Sequence, residues 1–273
     1  MHGIGNDFVL IDETRAPVGV PWEDLAISMC RTKFGIGADG LLILTKGDHA
    51  PLRMDMINAD GSNGGMCGNG LRCCARYAFE HGLVDIPRFD IEIGRQTVSV
   101  DVAGAYVTVQ MGESSNDRDE IGLAPGAPDP FIEVPVSVGG RDFPSVAMSM
   151  ANPHWIVFVD DLGIVDPHVD GPRLEHNPWF LNRTNVQFVE VLSPSHVKIC
   201  TWERGAGATL ACGSGSCAAI GAAMLTGRTG PSVTVDLPGG TLHIEHHEDG
   251  FTMKGPATYA FNGTWQGLES SGA

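Results

Sequence analysis

Two cysteines stand where their neighbours would let them do chemistry. Cys67 lies in Met66-Cys67-Gly68-Asn69-Gly70, and Cys212 lies 145 residues later in Ala211-Cys212-Gly213-Ser214-Gly215. Each precedes an apolar, alanine-containing stretch, so each is placed at a loop-to-helix junction. A helix N-terminus offers unpaired N–H groups and a positive dipole end, which draw a thiol pKa down from about 8.5 toward neutrality. The same N–H groups can hold a carboxylate, and the glycines let a ligand approach the backbone. One such thiol per half of the chain, facing its counterpart across a cleft, suits inversion of a carbon stereocentre. A thiolate removes the proton from one face, a thiol returns one to the other, and the roles exchange with substrate handedness. Such a pair titrates as a coupled unit, and donors around the substrate carboxylate stabilise the carbanion. The four lysines, Lys33, Lys46, Lys198 and Lys254, show no evident Schiff-base setting, so pyridoxal phosphate is not required.

Other chemistries fit the sequence less well. Cys67-x5-Cys73 and Cys212-x4-Cys217 lack the tight pairing of structural zinc sites. His243, His246 and His247 lie in a strand pattern, without metalloprotease spacing. No metal site is therefore expected. Phe34–Gly40 contains G-x-G-x-x-G, but a helix precedes it and a strand follows, the reverse of a dinucleotide fingerprint, so it reads as a turn. Cys30, Cys73, Cys74, Cys200 and Cys217 fall on helix faces or a strand, where free cysteine is ordinarily a small buried hydrophobe. A non-catalytic thiol protein is the competing class. It would keep ordinary pKa values at Cys67 and Cys212.

The elements that position the two thiols recur. Asn6 precedes an apolar strand ending at Asp12, and Asn152 precedes another ending at Asp160. Met54–Ile57 leads into a polar loop at Asn58, and Val197–Trp202 leads into one at Glu203, again 145 residues apart. After each Cys-Gly motif come a helix and two strands, Gln96–Val102 with Tyr106–Met111 and Thr241–Glu245 with Phe251–Lys254. Four features in one order at one offset indicate two homologous halves, joined through the polar stretch near Met111–Asp119. Further strands are read at Phe8–Ile11, Leu41–Leu44, Glu133–Val138, Trp155–Val159, Val186–Val191 and Val233–Leu237. Helices are read at Pro21–Arg31, with Pro at the first position, Gly70–His81 and Ser216–Leu225. The result is an α+β protein of two pseudo-symmetric domains, each a mainly antiparallel curved sheet or barrel around a central helix.

Composition bounds the rest. The chain has 273 residues, enough for one large or two ordinary domains. Lys plus Arg number 17 against 33 Asp plus Glu, a net charge of −16, which opposes nucleic acid and anionic membrane as partners. No apolar run approaches a membrane span, and the start, with Asp7 and Asp12 and no basic run, does not read as a signal peptide. Seven cysteines, an odd number without an export signal, argue for reduced thiols and a cytoplasmic protein.

The motifs MHGIGNDFVLID, NADGSNGGMCGNGLRC, ANPH and WERGAGATLACGSGSCAA, in this order over essentially the whole chain, resemble the signatures of the diaminopimelate epimerase family. Proline racemase-like relatives share Cys-Gly-x-Gly but not the ERGAG lead-in. The resemblance implies a domain at 1–114, joined by a returning segment at about 257–273, and a second at 115–256. It implies cofactor-independent interconversion of LL- and meso-diaminopimelate, for lysine and peptidoglycan synthesis, in a homodimer. Cys67 and Cys212 would be the base and acid, with His154 and Glu203 tuning their protonation. Asn6, Asn58, Gly68, Asn69, Asn152, Asn185, Glu203, Arg204, Gly213 and Ser214 would bind the amino-acid substrate. Three departures stand out. The family usually carries a short strand before Met-His-Gly, often a glutamine where Gly40 stands, and often a glutamate where Ala208 stands. The last two motivate an alternative, a related cofactor-independent racemase of another amino acid.

Overall fold

The computed structural model describes residues 1–15 and 19–266. The chain divides into two compact units, Met1–Val109 with the chain from Gly255, and Gln110–Lys254. Of the returning segment expected at 257–273, residues 267–273 lie outside the described residues. The first unit runs β1 (His2–Gly3), β2 (Asn6–Asp12), α1 (Trp22–Cys30), β3 (Gly40–Lys46), β4 (Leu52–Asn58), α2 (Gly68–Glu80), β5 (Arg88–Ile93), β6 (Gln96–Ala103) and β7 (Tyr106–Gly112). The second continues with α3 (Arg118–Ile121), β8 (Val134–Val138), β9 (Arg141–Ser149), β10 (Pro153–Val159), α4 (Pro167–Glu175), β11 (Asn185–Ser193), β12 (His196–Glu203), β13 (Gly207–Thr209), α5 (Gly213–Leu225), β14 (Ser232–Leu237), β15 (Gly240–His247) and β16 (Gly250–Pro256).

In the first unit β1 and β2 are antiparallel. From β2 through β3, β4, β5, β6 and β7 the pairings are parallel, antiparallel, parallel, antiparallel and antiparallel. In the second unit β9 and β10 are antiparallel, and β10, β11, β12, β14, β15 and β16 repeat those five pairings in the same order. β8 extends this sheet beyond β9, and β13 pairs with β12 as a short ribbon. Each unit is thus a mixed, predominantly antiparallel sheet of one topology.

The long helix of each unit is its core. α2 touches β1, β2, β3, β4 and β6, and α5 touches β9, β10, β11 and β15, so strands distant in the sheet close on one helix. Small side chains permit this. Cys73, Cys74, Ala75 and Ala78 of α2 are buried, as are Cys217, Ala218, Ala219, Ala222 and Ala223 of α5. The other sheet face is covered by the outer helices. Leu25, Ala26 and Met29 of α1 pack on Leu41, Ile43 and Ile57. Leu174 of α4 joins Trp155, Val157, Val186 and Phe188. Strand alternation then turns Phe8, Leu10 and Leu42 toward α2, and His154, Ile156 and Gln187 toward α5.

Two local readings change. α1 begins at Trp22, with Pro21 as its N-cap rather than its first residue. α4 has no counterpart in the sequence reading, because Gly171 and Pro172 interrupt its pattern. Asp166 starts it by accepting the His168 N–H at 3.0 Å. Gly171 is required there, since a Cβ would lie 2.5 Å from the Trp202 ring. All seven cysteines are free thiols. Cys30, Cys73, Cys74 and Cys217 are buried, and Cys200 packs half-buried against the Trp155 cluster. Among the described residues no helix is long and apolar enough to cross a membrane.

Candidate active site

Cys67 and Cys212 are the N-cap residues of α2 and α5, with almost the same backbone angles, −130°/107° and −131°/110°. Each sulfur accepts a hydrogen bond from the N–H three residues on, Gly70 in one case and Gly215 in the other, both at 3.4 Å. A sulfur thus replaces the oxygen that usually caps a helix. The N–H groups at the first helical positions, Gly68 and Gly213, have no carbonyl partner within their helices. They are suited to a carboxylate.

In the first unit the Cys67 thiol donates to Asn6 Oδ1 at 3.7 Å, and Asn69 Nδ2 donates to the same oxygen at 3.1 Å. Asn6 is held in turn by Asp39, whose Oδ2 accepts its Nδ2 at 2.6 Å and the Asp7 N–H at 3.0 Å. Burial, with the charge of Asp39 next, raises the Asp7 carboxyl above its ordinary range. Asn58 closes the loop that follows β4, donating its Nδ2 to Ser62 Oγ at 3.0 Å. Asp39 has no place in the sequence reading, which treats residues 34–40 as a turn. Its role follows only from meeting Asn6 across 33 residues of chain.

In the second unit the polar groups form two cross-strand rows on the face toward α5. His154 pairs with Asn185, and Ile156 with Gln187, which pairs with Thr201, which pairs with Thr209. Thr209 donates to Glu203 Oε1 at 2.6 Å. Ser214 Oγ lies 3.7 Å from Cys212 Sγ. The fully buried His154 ring bonds Gln187 Oε1 through Nδ1 at 3.1 Å and Asn152 Oδ1 through Nε2 at 2.8 Å. Burial lowers its pKa from 6.5 to about 4, so it is neutral at pH 7. Asn185 clamps the strand ends, donating to the Pro153 carbonyl at 2.9 Å and accepting the Arg204 N–H at 3.0 Å. The Arg204 side chain donates to the Asn182 carbonyl at 3.0 Å.

The sequence reading of the thiols needs a correction at Cys212. The helix terminus is expected to draw the pKa down. Instead burial first, and the charge of Glu203 second, push the Cys212 thiol well above its usual value, against the opposing bonds from Gly215 and Ser214. Desolvation outweighs the dipole because the sulfur is almost fully enclosed. Glu203 is thus the main charge acting on Cys212, after burial. His154 bonds the amide side chains of Gln187 and Asn152 rather than either sulfur.

The two departures take on a physical form. Gly40 pairs with Phe8 and Asn58, and a Cβ there would lie 2.8 Å from the Ile57 carbonyl oxygen. The strands are too close at that point for a longer side chain to enter without moving them. Ala208 pairs with Trp202 and so faces away from Glu203 and Thr209. One buried residue outside the sequence reading also belongs to the site. Glu175 Oε1 accepts the Gly205 N–H at 3.1 Å and Arg183 at 2.9 Å, and its Oε2 accepts Trp202 Nε1 at 2.7 Å. It ties down the turn that carries Glu203 and Arg204.

The fold has solved relatives. The structure of a hydroxyproline epimerase from Agrobacterium vitis, with bound trans-4-hydroxy-L-proline, matches at a TM-score of 0.65 and 13% identity, over 93% of this chain and 87% of that one. The class is therefore that two-unit α+β fold of sheets closed on helices. Within it, a family model described as diaminopimelate epimerase matches residues 1–116 and 146–260. Diaminopimelate epimerase from Desulfitobacterium hafniense is 44% identical over 271 residues, covering 96% of this chain and 95% of that protein. The enzyme of the same name from Heliobacterium modesticaldum is 41% identical over 273 residues, covering 96% and 97%. This chain belongs to the diaminopimelate epimerase family.

Proposed function

We propose that the protein is an epimerase interconverting LL- and meso-diaminopimelate without a bound cofactor. Cys67 and Cys212 serve the two faces of one α-carbon. The observation that carries this reading is the pair of N-cap thiols at equivalent positions of two repeated units. In the resting protein burial and Glu203 keep Cys212 protonated, so it is the donor for the stereoisomer that needs a proton from its side. In the reverse direction its thiolate is held by the Gly215 N–H. The carboxylate of the reacting centre meets the first-turn N–H groups of a helix, which stabilise the charge that moves onto it as the α-proton leaves. Asn6, Asn58, Asn69, Asn152, Asn185, Arg204 and Ser214 complete the set of polar groups offered to the amino acid. Pairing with a second copy and a cytoplasmic setting are parts of the same proposal and rest on the family resemblance.

Incubation with LL-diaminopimelate in D2O tests the reading. Deuterium is expected at one α-carbon only, with meso product accumulating. No exchange would remove this substrate. Serine at either cysteine keeps a competent helix cap, so Cys67→Ser and Cys212→Ser are expected to fold and to lose turnover by about 10²–10⁴-fold. Wild-type turnover in both variants would refute the two-thiol chemistry.

A further inference from the structure

The two units repeat one topology, but the ground beneath their thiols differs. Phe8 and Leu42 stand under the start of α2, and the positions equivalent in register under α5 are His154 and Gln187. Phe8 and Leu42 are buried and apolar, whereas His154 and Gln187 are buried and polar. A Cβ on Gly70 would meet Leu42 Cδ2 at 2.8 Å. A Cβ on Gly215 would meet Gln187 Nε2 at 2.5 Å and Cys212 Sγ at 3.1 Å. The amide nitrogen and the sulfur therefore flank the same Cα of Gly215.

Gln187 Nε2 is buried and has no hydrogen-bond partner among the described residues. An orphaned amide N–H in a protein interior is costly enough to need a reason. Its other end is fixed, because Oε1 takes the bond at His154 Nδ1. A neutral imidazole has one N–H and one lone pair. With Nδ1 donating to Gln187 Oε1, the Gln187 NH2 is left facing the start of α5, against Gly215. The charged and titratable groups around it are Glu203 and Arg204 at the end of β12, His154 on β10, and Cys212 itself. Ser214 adds a hydroxyl from α5, and Met253 on β16 offers only a thioether against Gly213.

We infer that Gln187 is a positioning residue for Cys212: anchored by His154, it offers the sulfur a second N–H donor when the thiol ionises, a device absent beneath Cys67. The inference rests on reading Cys212 as a reacting thiol, and it makes the two thiols chemically unequal although their helix caps match. A hydrogen bond to a charged acceptor is among the stronger ones, and its loss should move the ionisation of Cys212 upward by about one pH unit.

Substrate-free labelling with iodoacetamide, resolved by peptide mass spectrometry, tests this on the whole protein. In Gln187→Met, which keeps the volume, Cys212 labelling is expected to slow about tenfold at each pH below its midpoint. That is a parallel displacement of the pH profile by about one unit. The Cys67 profile should stay in place. Gln187→Leu also removes the donor without adding a charge, so it should give the same upward displacement and serves if Gln187→Met does not fold. An unmoved Cys212 profile, or an equal change at both cysteines, would overturn the inference. The readout uses no diaminopimelate, so its failure is separate from failure of the wild-type exchange experiment.

Discussion

A cysteine at a helix cap is pulled two ways, and the balance depends on how much water reaches it. The dipole and the N–H bond favour thiolate, while burial favours thiol. At Cys212 burial and Glu203 win, which composition and spacing do not reveal because they report position and not enclosure. His154 obeys the same rule with the opposite charge type. Its folded pKa of about 4 lies below the unfolded 6.5. Between those values the unfolded chain binds a proton that the folded chain refuses, so stability rises with pH across the window. The contribution is complete above pH 6.5 and drains away as pH falls toward 4, roughly 3 kcal/mol in all. Urea unfolding between pH 4 and 7 should show this slope in the wild type and a flatter one in His154→Gln. Equal slopes would mean that the ring is not buried neutral.

Among the elements, the strands and the two inner helices were readable because they repeat and because each carries a glycine-marked motif. The outer helix α4 was not, since Gly171 and Pro172 break its pattern for the sake of contact with Trp202. With α4 unseen, Glu175 at its end could not be assigned a role, although it bonds the Trp202 indole and the Gly205 backbone. Asp39 and Gln187 were missed for a related reason. Each acts through a side chain more than thirty residues away in sequence, and nothing local marks either. Glu175→Ala removes the acceptor for three donors and should destabilise the second unit by about 1.5–3 kcal/mol. It should also raise KM more than it lowers kcat, because the turn bearing Arg204 loosens. Denaturation and steady-state kinetics on the same sample decide this. An unchanged KM would show that the turn holds without the carboxylate.

On the scale of the whole molecule, the helix that carries Cys67 is secured by residues from the far end of the chain. The buried Arg72 donates Nε to the Pro256 carbonyl at 3.2 Å, and Arg76 donates Nη1 to the Ala257 carbonyl at 2.5 Å. His2 and Thr258 exchange two backbone bonds of 2.8 Å. A chain ending at Lys254 loses the carbonyls of Pro256 and Ala257 and the backbone pair with His2, bonds whose removal costs about 1 kcal/mol each or more. Limited proteolysis of this chain should cut the first unit rapidly and leave Gln110–Lys254 resistant. Equal resistance of both units would show that the returning segment is dispensable.

The second unit is inserted within the first, for its residues run unbroken from Gln110 to Lys254 while the first unit uses both ends of the chain. At its entry, Gln110 Nε2 donates to the Asp249 carbonyl at 2.7 Å, just before the unit's last strand. A ribosome therefore releases the pieces in an unequal order. The half holding Cys212 is complete once Lys254 has emerged, whereas the half holding Cys67 waits for residues beyond it. The older thiol in sequence is thus set in the half of the protein that closes later.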